Sequence, residues 1–139
     1  MEGEIQFTVI GVPQPQGSSR AFVPKGWNRA IITSVNTKLK PWRQEIAGTA
    51  QVEMQRRGLS LLEKVPIAVR VSFFFEKPAS AKKSLVYKIT KPDCDKLLRG
   101  LFDALTGIVF KDDAQIVSCL MRKEFGSPAR VEVAVSVPS

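Results

Sequence analysis

The stretch "PIAVRVSFFF" constrains the fold most. Ile67, Val69, Val71, Phe73 and Phe75 recur at every second position, so they fall on one face of an extended chain. A ten-residue helix would scatter them around its circumference. "ARVEVAVSV" repeats the pattern with Val131, Val133, Val135 and Val137, and "EIQFTVI" does so with Ile5, Phe7 and Val9. "AQIVSCLMRKEF" is expected as a further strand. Strands with one apolar face need a partner layer, and two helical segments supply it. Over residues 38–57, Trp42, Ile46, Ala50 and Met54 recur every four positions, with Pro41 in the first turn and Gly58 as a stop. Over residues 95–106, Leu97, Leu98, Leu101, Phe102 and Leu105 form a second stripe, closed by Gly107. The expected class is α+β: a mixed, mainly antiparallel sheet with two main helices packed on it. A chain of 139 residues without internal repeat or linker is expected to form one domain, residues 1–139.

Between these elements lie two basic segments. "GVPQPQGSSRAFVPKGWNRAIITSVN" is broken by Gly, Pro and Ser; a short hairpin, "AFV" to "AIIT", is expected in it. It carries Arg20, Lys25 and Arg29 beside Trp27. "EKPASAKKSLVYKITK" carries Lys77, Lys82, Lys83, Lys88 and Lys91 and is expected as a mobile loop. The whole chain has 21 Lys and Arg against 13 Asp and Glu, a formal charge of +8. A domain this basic suits a polyanion, nucleic acid above all.

Against that background, all five aspartates fall in "KPDCDKLLRGLFDALTGIVFKDDAQIV", as Asp93, Asp95, Asp103, Asp112 and Asp113. Lys91 precedes a proline, which favours extended geometry. If the extension continues, Asp93 and Asp95 share one face and Cys94 turns to the core; in a helix the pair would diverge by about 200°. Short connections would let Asp112 or Asp113 approach them. Converging carboxylates repel unless a cation lies between them. With no histidine in the chain, His-dependent triads, bases and zinc sites are excluded. Oxygen donors favour Mg²⁺, with Mn²⁺ as a substitute. An acidic metal site on a basic surface is what phosphodiester hydrolysis requires. Taken singly, each aspartate also has an ordinary role. Asp93 or Asp95 can cap a helix, Asp103 can pair with Arg99 one turn back, and "KDDAQ" can be a plain turn.

The segment resembles the RusA family of Holliday-junction resolvases, small endonucleases common in phages and prophages. The family pattern is Pro-Asp-x-Asp-Asn, a basic residue, Asp-Ala-Leu, a short gap and Asp-Asp-x-Gln. "GVPQPQGSSR" and "WRQEI" extend the resemblance toward the N-terminus. It implies a homodimeric, magnesium-dependent nuclease acting on branched DNA, with no nucleotide cofactor. It implies metal ligation by Asp93, Asp95 and Asp113. The family's catalytic lysine falls on Arg99, and its asparagine after the second aspartate on Lys96; these are two departures. Arginine stays charged and cannot give up a proton as lysine can. The alternative is a junction-binding protein with a weakened or lost active site. Arg20, Lys25, Arg29, Lys82, Lys83, Lys88 and Lys91 are the expected DNA-backbone contacts. No apolar run is long enough to span a bilayer, and no secretory signal opens the chain. A cytoplasmic protein is expected, with Cys94 and Cys119 reduced and packed.

Overall fold

The structure, a computed structural model, describes residues 4–17, 20–22, 25–26, 31–33 and 36–139, with backbone alone at 20–22 and 31–33. Its elements run β1 (Ile5–Ile10), β2 (Arg20–Phe22), β3 (Ile31–Thr33), α1 (Leu39–Arg56), β4 (Ile67–Phe75), α2 (Cys94–Leu105), a 3₁₀ turn (Asp113–Gln115), β5 (Ile116–Phe125) and β6 (Arg130–Ser136). The class is α+β, as expected. β2 and β3 pair as the short antiparallel hairpin.

The main sheet has the order β1-β6-β4-β5. β6 is antiparallel to both β1 and β4, while β4 and β5 are parallel. β4, α2 and β5 therefore form one crossover unit, and β6 returns to fill the gap between β1 and β4. The return from β5 needs only residues 126–129. Gly126 donates to Phe75 O there, and a Cβ on it would lie 2.7 Å from the Phe74 ring.

The alternating residues behave as their period demands. Ile5, Val9, Ile67, Val69, Phe73, Val131 and Val135 are at most 3% exposed and face α1 and α2. α1 buries Trp42, Ile46, Ala50 and Met54, while α2 buries Leu97, Gly100, Leu101, Ala104 and Leu105. Full burial of each large aliphatic or phenyl group contributes roughly 1.5–3 kcal/mol. The two helices stop as expected: Gly58 at φ 65° and Gly107 at φ 84° take up left-handed geometry just past α1 and α2.

Three expectations are corrected. Cys94 does not turn to the core. The helix begins at Cys94, one turn before buried Leu97, and its side chain is exposed beyond the end of the apolar stripe. Cys119 is exposed as well. It pairs with buried Val69 and so shares the helix-facing side, but β5 is an edge strand whose first half lies open. Neighbouring atoms still desolvate its sulfur and push the thiol pKa up. Thirdly, residues 76–93 form a laced strap and not a free loop. Lys88 N donates to Lys123 O, Phe125 N donates to Val86 O, and Lys77 Nζ donates to the carbonyls of Lys82 and Lys83.

Candidate active site

Asp93 is the N-cap of α2, extended at φ −74° and ψ 149°, yet its side chain makes no capping hydrogen bond. Asp95 follows in the first turn. It is exposed and makes no hydrogen bond or ion pair among the described residues. Both carboxylates stand at the positive end of the helix dipole, which favours negative charge. Lys96 Nζ lies 3.9 Å from Asp93 Oδ2, both side chains about half exposed (47% and 54%). Such a solvated pair contributes little to stability. Arg99 is exposed one helical turn beyond Asp95.

The surroundings pin this end of α2. Lys123 Nζ, reaching from β5, donates to Thr90 O at 2.7 Å and Pro92 O at 2.9 Å, fixing the approach to Asp93. Lys88 Nζ sits 5.4 Å above the Phe75 ring and donates to Thr90 Oγ1. On the other side Gln16 N donates to Lys96 O at 2.9 Å, so the segment after β1 lies along the helix. Between them opens a groove of about 450 Å³ lined by Val12, Pro15, Lys88, Lys91, Asp93 and Lys96. A concavity of about 480 Å³ on the outer sheet face, near Arg70 and Glu132, is lined by none of the aspartates.

Asp103 has a partner that sequence reasoning missed. Gln16 Nε2 donates to Asp103 Oδ2, and Arg43 Nη1 donates to Gln16 Oε1 at 3.3 Å. The three residues join the N-terminal segment, α1 and α2. Gln16 and Asp103 are 87 positions apart, so no local pattern signals their meeting. The only hint is the resemblance of "GVPQPQGSSR" and "WRQEI" to the same family.

The second aspartate group stands at the other end of α2. Asp112 caps the 3₁₀ turn: its side chain accepts from Ala114 N at 2.9 Å, and its own N donates to Gln115 Oε1 at 3.0 Å. Gln115 Nε2 reaches Leu62 O and Val65 O, anchoring the turn below β4. Asp113 beside it is exposed and makes no hydrogen bond or ion pair among the described residues. The 12 residues of α2 separate the two groups by about 18 Å at the helical rise. Asp113 therefore does not approach Asp93 and Asp95 within one chain, against the expectation from short connections. Among the described residues no group of three or more carboxylate or cysteine ligands stands ready for a metal ion. Asp93 and Asp95 supply oxygen donors suited to a hard cation, one carboxylate short of the expected trio.

Of the expected DNA contacts, Lys25, Lys82, Lys83 and Lys91 are exposed, and Lys88 is half-buried against Phe75. Arg29, Trp27 and the side chain of Arg20 lie outside the described residues. No described helix is long and apolar enough to cross a membrane.

The family model for the endodeoxyribonuclease RusA matches residues 12–136, and the chain belongs to that family of nucleases. It is also 32% identical over 134 residues to the uncharacterized protein YqaN of Bacillus subtilis (strain 168), an alignment covering 94% of each chain.

Proposed function

We propose that the protein is a magnesium-dependent, structure-specific endonuclease that resolves four-way DNA junctions by paired phosphodiester cuts, acting as a homodimer in the cytoplasm. The observation that carries this reading is the N-cap of α2. A carboxylate in capping position makes no capping hydrogen bond and lines a groove with Lys88, Lys91 and Lys96, and a second carboxylate follows two residues on in the first turn of the helix. Membership of the RusA family supplies the substrate class.

Asp93 and Asp95 would hold the ion, with Asp113 as the third carboxylate supplied from the second copy of the homodimer, since its own chain keeps it at the far end of α2, and Mn²⁺ would substitute. When bound, Mg²⁺ supplies water activation and offsets phosphate charge. Lys25, Lys82, Lys83 and Lys91 would grip the DNA backbone without reading sequence. Arg99 would stabilise charge building on the phosphate oxygens, with no proton to give. The competing reading, junction binding without cleavage, rests on Arg99 and Lys96 standing where the family has lysine and asparagine. A nicking assay on four-way junctions with and without Mg²⁺ decides between them. Arg99→Lys is expected to match or exceed the wild-type rate; an inactive Arg99→Lys with an active Lys96→Ala would show that the guanidinium itself is required.

A further inference from the structure

The groove beside Asp93 differs from the basic surface around it, because much of its lining is apolar. Val12, Pro13 and Pro15 come from the segment after β1, Phe75 from the end of β4, and Pro92 from the approach to α2. Val12 is 59% exposed, an apolar side chain held open to solvent. Three lysines, Lys88, Lys91 and Lys96, line the same groove against one carboxylate, Asp93. The Lys91 side chain makes no hydrogen bond or ion pair among the described residues, so its charge is available to a ligand.

The apolar wall is built before any ligand arrives. Gln14 Nε2 donates to Val12 O at 3.0 Å, and Asn36 Nδ2 donates to Gln14 Oε1 at 3.1 Å and to Pro15 O at 3.2 Å. Gly11 N donates to Ala129 O and Gln16 N to Lys96 O, both at 2.9 Å, so the segment is tied down at each end. Proline rings fix part of its backbone as well. Binding against such a wall needs little reordering.

Lysines that grip phosphate do so on duplex and branched DNA alike. A preformed groove that is both apolar and cationic asks for more: a flat apolar face next to an anion. A nucleotide carries both, as base and phosphate. At about 450 Å³ the groove falls within the range of small-ligand pockets, roughly 300–1,000 Å³. That is room for one base and not for a duplex. A base in a duplex must first leave its partner and its stack, and the cost is least where it is already unpaired.

We propose that the groove receives one unpaired base at the branch point, with the phosphate of that nucleotide against Lys91 and Lys96, and that this entry sets a preference for branched over duplex DNA. The proposal rests on the nuclease reading given above and adds what the site recognises. Every base offers a flat face, so entry discriminates structure more than sequence.

The test reads binding in EDTA, where no cleavage intervenes. 2-Aminopurine, whose fluorescence is quenched by stacking, replaces each branch-point base of a four-way junction in turn. One position should brighten when the protein binds. An abasic nucleotide at that position keeps the phosphate and removes the base; it should weaken junction binding about 10-fold, within the worth of one base contact. Val12→Lys separates the groove from the charge around it, at an exposed position where the fold is spared. If the groove only grips backbone, the added lysine tightens junction and duplex together and their affinity ratio stays as in wild type. If a base enters, the ratio of junction to duplex affinity should fall about 5-fold, and the abasic penalty should shrink with it. No brightening at any position, an abasic junction bound as tightly as the intact one, or brightening that Val12→Lys leaves unchanged overturns the proposal. The nuclease reading fails separately: a protein that brightens one position yet never nicks junctions in Mg²⁺ keeps the base site and loses the activity.

Discussion

Asp93 and Asp112 hold the same position in two different turns. Each is an N-cap in extended geometry. Asp112 does what that position invites: its carboxylate takes a backbone N–H, Gln115 closes the box, and Gln115 ties the turn to Leu62 and Val65. Asp93 does not. Its helix is held instead by Leu97, Leu101 and Leu105 in the core and by Lys123 and Gln16 on either side of its first turn. Where packing carries the helix, the cap is released from structural duty. The difference shows how to tell a structural aspartate from an available one when residue type and position are the same.

The largest effect expected from breaking this contrast is chemical. Asp93→Asn, Asp95→Asn and Asp113→Asn should each lower junction cleavage by more than ~100-fold, beyond the loss typical of groups that only support a metal ligand. Folding stability should stay within about 0.5 kcal/mol of wild type, because all three are exposed, and junction binding should hold or tighten as repulsion toward phosphate falls. Rate assays beside urea melts check both halves. An Asp95→Asn protein that cuts at the wild-type rate would reduce the aspartates to caps and turns.

Asp112→Ala should give the reverse outcome: a stability loss of about 1 kcal/mol, the usual cost of a lost cap, with cleavage largely kept. The urea midpoint reads it directly. For the strap, if about six phosphates are contacted, log K should fall against log salt with a slope near −5. Removing one lysine, Lys82 or Lys83, should reduce that slope by about 1. A flat salt dependence would count against backbone contact. The smallest effect lies outside both regions. The hydrogen bond from Arg56, with the charges of Arg56 and Arg57, holds the Glu53 carboxyl below its ordinary value of 4.5. A lowered folded-state pKa stabilises above the unfolded value and is lost as pH falls through the folded one. Glu53→Gln should therefore flatten the acid limb of the stability profile slightly and leave neutral pH almost unchanged.

Much of the fold was legible because burial on one face writes a period into the chain. The strands β1, β4 and β6, the α1 stripe from Trp42 to Met54, and the stops at Gly58 and Gly107 are all local signals. β5 was legible as a strand but not as an edge, since exposure of Val117 and Leu120 depends on which strands lie beside it. Cys94 was misplaced because the helix starts one residue earlier than its proline suggested. The aspartates were legible as a set, from their confinement to one segment. Their division between two ends of α2 was not: proximity in sequence says nothing about which end of a helix each group reaches. The Gln16–Asp103 contact was invisible for the opposite reason: 87 positions separate the pair, and no local pattern spans that distance.

The place of β6 carries a kinetic consequence. Ile5 pairs with Val135, so the first strand has no neighbour in the sheet until the last strand arrives. Closing so long a loop costs entropy before any pairing rewards it. Proteins dominated by such distant pairings fold in about milliseconds to seconds, not microseconds. The crossover unit β4-α2-β5 is far more local and can assemble first, with the flank of β4 waiting bare. Until β6 docks, β1 and β4 each offer an unpaired apolar strand, so this interval is when the chain is most exposed to aggregation.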